Sequence, residues 1–339
     1  MNQFSPLVLT STRPAPAAEA DSPRVDFEEI ARALGASLCR PPAASGGLVA
    51  RIEDKTASDL RQAWDARRTS ASLYLSLSEK VGLPLALMGT RGRPHVLLAH
   101  NLTSERKRTL QKRTGYLHRF DRVLVLCRTQ ETYLRNEARL PEGKIRFVYN
   151  QVDHRFFAPS SERAENYVLS VGRERRDYET LMSAVGSLNV PTTILASSPW
   201  SRAEDGQKVI PANVSLRRGL TFATLRDLYE RAALVVVPLQ SGTDYAAGVT
   251  GVLEAMAMQK PLIVSDTPGI RDYVTPDETA RVVPPGDPDA LARAIAELLE
   301  DRAHADTLAR NARRVVENGR NLDGYVAAVA AVVREVLPA

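Results

Sequence analysis

Cysteine is nearly missing from this chain. Cys39 and Cys127 are the only two among 339 residues, and neither has partners at metal-ligand spacing. A disulfide framework and a zinc site therefore have no support, and a reducing cytoplasm is the expected compartment. No window approaches the roughly 18–20 consecutive apolar residues of a membrane-spanning helix. The opening Met1-Asn-Gln-Phe-Ser-Pro6 has no basic start followed by an apolar run, so neither integral insertion nor secretion is expected. No Gly-x-Gly-x-x-Gly follows the first apparent strand of either half, which argues against a nicotinamide enzyme. No clustered carboxylates suggest a magnesium site, and no short internal repeat is visible.

What is present is ordinary globular material. The hydrophobic share is 44% and the charged share 25%, enough to bury a core without staples. The length suggests roughly two domains of about 100–200 residues each. Charge is split between the halves: residues 1–150 hold 24 Lys+Arg against 15 Asp+Glu, a surplus of +9, and the remainder carries −4. Much of the surplus lies in Ser104-Glu-Arg-Lys-Arg-Thr-Leu-Gln-Lys-Arg113, a helix candidate with Ser104 as its cap. Its charges suit an anionic acceptor, a lipid headgroup or simply water. Nucleic acid is not expected, because the run has no interleaved aromatics and matches no binding module.

Apolar runs separated by helical patterns mark an α/β chain with parallel sheets. Pro6–Ser11 reads as a first buried strand, followed by a Pro/Ala-rich loop through Pro23 and an amphipathic helix from Asp26 to Leu38. Ala71–Leu77, His95–Ala99, Arg122–Cys127 and Ile145–Tyr149 read as further strands. A composition break at 158–166 reads as a linker, after which the pattern restarts at Tyr167–Val171. Tyr178–Val185 and Thr224–Ala232 read as helices, Thr192–Ala196 and Leu234–Pro238 as strands. Helical patterns close the chain at 290–299, 303–316 and 325–333.

Residues 234–288 carry the most information. Leu234-Val-Val-Val-Pro238 leads to Gly248-Val-Thr-Gly-Val-Leu-Glu-Ala-Met-Ala257, then Lys260-Pro-Leu-Ile-Val264, Pro268-Gly269 and Pro285-Gly-Asp-Pro288. A buried strand, a glycine-containing turn and a helix start present backbone N–H groups and a positive dipole end to an anion at the carboxyl ends of parallel strands. Val171-Gly-Arg-Glu-Arg-Arg-Asp177 ends another strand at the same edge, where Arg173 and Arg176 suit a diphosphate.

This constellation resembles the donor-sugar site of family-4 glycosyltransferases, retaining enzymes of the GT-B fold, strongly over 167–288 and more weakly over 95–320. The resemblance implies an α/β chain of two Rossmann-like domains facing a central cleft, with a C-terminal helix crossing back to the N-terminal domain. The expected parts are an acceptor domain at 1–160, a nucleotide-sugar domain at 161–320 and the crossover helix at 321–339. Glu254 is expected to hold the nucleotide ribose, with Gly248, Thr250 and Gly251 serving the phosphates. Arg173 and Arg176 are expected to neutralise the leaving diphosphate, Arg176 standing at the position of a family Lys after a loop two residues shorter. Where the family has a second acid against the transferred sugar, this chain has Ala246, and Asp244 or Tyr245 is the candidate replacement. His100, at a strand end, is expected to touch donor sugar or acceptor, and Glu79 is an acceptor-side candidate. Asn150-Gln-Val-Asp153 matches an interdomain segment with Gln151 in place of Gly, and Gln259 replaces a Gly before Lys260-Pro.

The expected function is transfer of a hexose-type sugar from a nucleoside-diphosphate sugar to an acceptor, with retention of configuration. No side-chain nucleophile, metal or further cofactor is expected. The acceptor stays open between a soluble anion and a molecule at the inner membrane face. The rival readings are a non-catalytic relative that binds sugar nucleotide as a partner subunit, and a GT-B sugar-nucleotide epimerase.

Overall fold

The computed structural model describes residues 5–12, 21–43, 46–160, 165–196 and 210–337. The chain divides into two compact units, one built on Arg24–Tyr149 with the first strand and the residues from Gly324 onward, the other on Asn150–Asp323. Part of the expected Pro/Ala-rich loop, 13–20, and part of the expected linker, 161–164, lie outside the described residues.

The first unit runs β1 (Pro6–Leu9), α1 (Asp26–Leu34), β2 (Ser37–Cys39), α2 (Leu48–Thr56), α3 (Leu60–Arg68), β3 (Leu73–Ser76) and α4 (Glu79–Met88). It continues with β4 (His95–Ala99), α5 (Glu105–Thr114), β5 (Arg122–Val125), α6 (Arg128–Asn136) and β6 (Ile145–Phe147). These six strands form one parallel sheet in the order β2-β1-β3-β4-β5-β6. Residues of β1, β3 and β4 are buried at every position. That is why they read as continuous apolar runs rather than alternating ones: a parallel sheet is covered on both faces. Leu97, Ala99, Val123 and Val125 pack with Tyr116, Leu117 and Phe120 in the core beneath them.

The helix expected to reach Leu38 stops at Leu34. Gly35 takes a left-handed conformation (φ 59), its N–H bonds back into the last turn, and Leu38 lies in β2 instead. Leu38 shares the spacing of the helix's apolar face by coincidence. Helix α2 buries none of its residues.

The second unit runs β7 (Val168–Val171), α7 (Tyr178–Leu188), β8 (Thr192–Leu195), β9 (Val214–Arg217), α8 (Phe222–Arg231), β10 (Leu234–Val237) and α9 (Val249–Ala257). It ends with β11 (Leu262–Ser265), α10 (Pro268–Arg271), β12 (Arg281–Val283), α11 (Pro288–Glu300) and α12 (Arg302–Glu317). Its strands also form one parallel sheet, ordered β12-β11-β10-β7-β8-β9. Val168, Ile194, Leu234, Val236 and Ile263 pack against α7 and α11.

The last helix, α13, is Leu322–Arg334. From Gly324 onward it belongs with the first unit. There Glu335 pairs with Arg122 at 3.1 Å and Arg146 at 2.7 Å, and Arg334 donates to the Ala33 carbonyl. This is the destination expected of a crossover helix. Among the described residues no helix is long and apolar enough to cross a membrane.

In each parallel sheet the order of successive strands reverses at one point, between β1 and β3 in the first unit and between β10 and β7 in the second. At such a switch point the loops leave in opposite directions, so a crevice opens outside the strands' carboxyl ends.

Candidate active site

In the second unit the switch point is built from the loops after β7 and β10. The Asp177 N–H donates to the Pro238 carbonyl at 3.0 Å, the Gln240 N–H to the Arg175 carbonyl at 2.9 Å, and the Leu239 N–H to Ser265 Oγ at 2.9 Å. The first two bonds fasten the loop after β7 against the segment that leads to α9, and the third fastens that segment to β11.

Arg176 is thereby turned inward, only 5% exposed. Its Nε and Nη2 donate to the Val171 carbonyl at 3.1 and 2.9 Å, and Nη1 donates to the Glu174 carbonyl at 3.1 Å. Three glycines make room for this one guanidinium. A Cβ added at Gly172 would lie 2.1 Å from Nη2, at Gly248 3.1 Å from Nη1, and at Gly251 3.5 Å from Nη2. Burial pushes the Arg176 pKa down, while Tyr178, Tyr229, Glu254 and Glu174 act to raise it. A guanidinium remains charged under such opposition. Arg173, on the same loop, is exposed.

Helix α9 starts at Gly248, whose φ of 86 is left-handed and which offers no capping side chain. An N-terminus without a side-chain cap, beside a fixed guanidinium, is suited to an anion. Thr250 is exposed in the first turn and Gly251 is buried against Arg176.

Glu254 lies beyond that first turn, which holds no acid, so the helix dipole gives it little support. It is 8% exposed, and its Oε2 accepts a hydrogen bond of 2.8 Å from the hydroxyl of Tyr229 on α8. Burial pushes the Glu254 pKa up to about 7, with the Tyr229 bond and the Arg176 charge pulling the other way. Burial also drives the Tyr229 phenol well above its ordinary range, so it stays a donor.

The loop before α9 carries the remaining donor-side candidates. Asp244 and Ala246 are half-buried. Tyr245 is 7% exposed and donates a 2.6 Å hydrogen bond to Glu174 Oε1. Burial, reinforced by Glu174, raises the pKa of this phenol too. A Cβ at Gly269, in α10, would lie 2.3 Å from the Tyr245 carbonyl oxygen. Gly269→Ala must therefore push the 244–247 loop outward. It is expected to cost roughly 1–3 kcal/mol of stability, the scale of overpacking, and to weaken nucleotide-sugar affinity. Thermal melting and calorimetric titration check both; a variant with unchanged melting and affinity would show that the loop position is unimportant.

The structure therefore brings Arg176, Gly248, Gly251 and Glu254 together around one helix start, with Tyr245 joined through Glu174. Tyr229 and Glu174 carry no sequence signal. Tyr229 reads as one more apolar-face residue of α8, and Glu174 as one charge among arginines.

The first unit holds a pocket of about 320 Å³ at its own switch point, lined by Ser11, Asp26, Ser78, Lys80 and His100 among others. His100 is exposed, and its Nε2 lies 3.1 Å from the Leu77 carbonyl, which can only accept. Nε2 therefore carries the proton. Burial raises the Asp26 pKa, against the Phe27 N–H and the nearby His100. The periodicity of α1 marks Asp26 only as a helix start.

Glu79 is buried behind this pocket rather than open to it. Its Oε1 accepts from the His100 N–H at 3.1 Å, the Asn101 N–H at 2.7 Å and Lys107 Nζ at 3.1 Å. Burial raises its pKa, but Lys107, His100 and the Asn101 N–H outweigh that and hold it below the ordinary value. Glu79 thus ties the loop after β4 in place. The basic helix α5 is partly spent the same way: Arg108 pairs with Glu137 and lies over the Tyr133 ring, while Arg106, Lys112 and Arg113 remain exposed. Asn150 is held in the second unit, its N–H donating to Tyr273 Oη at 2.9 Å, and Asp153 is buried. Gln259, which the resemblance sets in place of a Gly, adopts the left-handed conformation (φ 51).

Comparison with known proteins bears on the fold. Residues 207–315 match the family model described as Glycosyl transferases group 1. An uncharacterized glycosyltransferase of Methanocaldococcus jannaschii is 25% identical over 201 residues, covering 52% of this chain and 50% of the relative. The chain thus aligns with about half the length of that curated relative. Among solved structures, sucrose-phosphate synthase from Thermosynechococcus elongatus superposes with a TM-score of 0.76 at 21% identity, covering 98% of this chain and 99% of that one. Anabaena HepE in complex with UDP-glucose gives a TM-score of 0.76 at 15% identity, with 98% and 100% covered. The fold is that of GT-B glycosyltransferases.

Proposed function

From the premise of a GT-B fold carrying a Glycosyl transferases group 1 segment at 207–315, we propose that this protein transfers a sugar from a nucleoside-diphosphate sugar to an acceptor, with retention of configuration. The observation that carries the reading is the buried Arg176 guanidinium against Gly248 and Gly251 at the start of α9, with Glu254 on the same helix.

In this reading the ribose hydroxyls donate to Glu254, while the diphosphate takes the N–H groups at the start of α9. Arg176 holds the Val171 and Glu174 carbonyls through Nε, Nη1 and Nη2, so it acts chiefly as a fixed positive charge under the helix start. Arg173, exposed on the same loop, is free to swing onto the phosphate oxygens. As the bond from sugar to diphosphate breaks, negative charge grows on the leaving oxygen, and these groups are already in place to meet it. The first unit's own pocket, with His100 and Asp26 in its lining, suits a hydroxyl-bearing acceptor. Retention follows if the hydroxyl attacks the face from which the diphosphate departs, with the leaving group receiving its proton. No side-chain nucleophile and no cofactor beyond the sugar nucleotide enter the scheme.

The test is incubation with a panel of nucleoside-diphosphate sugars, measuring nucleotide release and the anomeric configuration of the product. Release from one donor with the configuration retained supports the proposal. Binding without release from any donor, with and without candidate acceptors, contradicts it.

A further inference from the structure

The first unit carries an apolar strip that its own fold leaves uncovered. On α2, Leu48 is 75% exposed, Val49 46% and Ile52 40%, and Trp64 on the next helix is 51% exposed. Leu48, Val49 and Ile52 are spaced i, i+1 and i+4, so they share one side of the helix. Arg51 and Lys55, both exposed, flank that side. Of the two acids, Glu53 is held by Arg61 of α3 at 2.7 Å, and Asp54 falls on the opposite side.

We propose that α2 is an interfacial helix that seats the first unit on an anionic lipid bilayer. Three large apolar side chains beside two cations fit a surface whose headgroups are negative and whose acyl boundary is apolar. The +9 surplus of residues 1–150 points to the same partner. A second copy of the chain is the poorer occupant. Facing strips would set Arg51 and Lys55 against their own kind, and three side chains fall far short of the roughly 800 Å² per partner of a stable interface.

The helix is also well placed. The joint between α2 and α3 is fixed at the carboxyl edge of the sheet, where the Asp59 N–H donates to the Lys80 carbonyl at 2.8 Å and Ser11 Oγ donates to Asp59 Oδ2 at 2.6 Å. Ser11 and Lys80 both line the switch-point pocket. A bilayer under α2 would therefore lie beside that pocket. Lipid binding itself does not depend on the proposed reaction, since a catalytically dead protein would bind the same way.

The experiment is co-sedimentation with vesicles of phosphatidylglycerol and phosphatidylcholine, beside vesicles of phosphatidylcholine alone, at low and high salt. The wild-type chain should pellet with the anionic vesicles and be released as salt screens the cations. Leu48→Ser/Ile52→Ser should lower apparent binding by about tenfold or more, because apolar insertion scales with buried area. Its melting temperature should match wild type, since neither side chain is buried. Failure of the wild-type chain to pellet, or equal pelleting of the double variant, overturns the proposal. So does loss of binding confined to an Arg106/Lys112/Arg113 alanine variant, which would move the contact to α5.

Discussion

Glu254→Gln should stabilise the free protein at pH 8 while weakening its grip on a nucleotide sugar. The Glu254 carboxyl titrates at about 7 in the fold against an ordinary 4.5. An acid whose folded pKa is raised favours folding while protonated. Stability from this group is therefore full below about pH 4.5, declines as pH rises from there to about 7, and stays low above. The gap corresponds to roughly 3 kcal/mol. Glutamine carries no charge at any pH and still accepts from Tyr229. Near pH 4.5 the variant should melt with wild type; at pH 8 it should melt several degrees higher. The same substitution replaces a charged acceptor for the ribose hydroxyls by a neutral one, a loss of about tenfold or more in affinity. Wild-type affinity should correspondingly rise as pH climbs through about 7. Melting curves at two pH values and calorimetry with a nucleotide sugar decide it. A variant less stable than wild type at pH 8 would overturn the account of Glu254 as a strained buried charge, and unchanged affinity would remove its ribose role.

Arg176→Ala should abolish most of the activity and much of the stability together, whereas Arg173→Ala should affect activity alone. Removing a charge preorganised for the leaving diphosphate costs roughly 2–4 kcal/mol of transition-state stabilisation, about 1.5 to 3 decades in kcat/KM. For Arg176 the fold suffers as well. The Val171 and Glu174 carbonyls lose their donors, and the space left by Gly172, Gly248 and Gly251 becomes a void. Together these are expected to cost roughly 2–4 kcal/mol of folding stability. Arg173 is exposed, so its alanine variant should melt like wild type. Arg176→Lys keeps the charge but offers fewer directed donors, and should recover part of the activity with a lower melting temperature. Kinetics and melting on the three variants separate the roles. Wild-type turnover in Arg176→Ala would remove the charge from the mechanism, and an unstable Arg173→Ala would show that its side chain is structural.

The two arginines differ in a way their shared loop conceals. Val171-Gly-Arg-Glu-Arg-Arg-Asp177 marks both as strand-end cations, and position along a strand is a local property. Which one turns inward is set by the bonds of Asp177 to Pro238 and of Arg175 to Gln240 in the segment after β10, more than 60 residues further along the chain. Glu254 shows the same division. Its motif identifies it, but its raised pKa arises from burial in the packed fold, against the opposing pull of Tyr229 on another helix and of Arg176. Glu79 goes the other way, from a strand-end candidate to a buried anchor satisfied by His100, Asn101 and Lys107.

The sequence alone determined the alternation of strand and helix, the parallel sheets, the restart after residue 166 and the glycine-flanked helix start. Each follows from information spaced by a few residues: apolar runs buried on both faces, and glycine where φ must be positive. It did not determine where α1 ends and β2 begins, because Leu38 satisfies both patterns, nor that α2 keeps its apolar side uncovered. Only the tertiary structure decided that Arg176 lies buried among three glycines, that Tyr229 meets Glu254, and that Asp26 and His100 share a pocket at the β1/β3 switch point. Those are encounters between elements distant in sequence, and burial, which sets charge and protonation at each of them, is a property of the packed chain rather than of any segment of it.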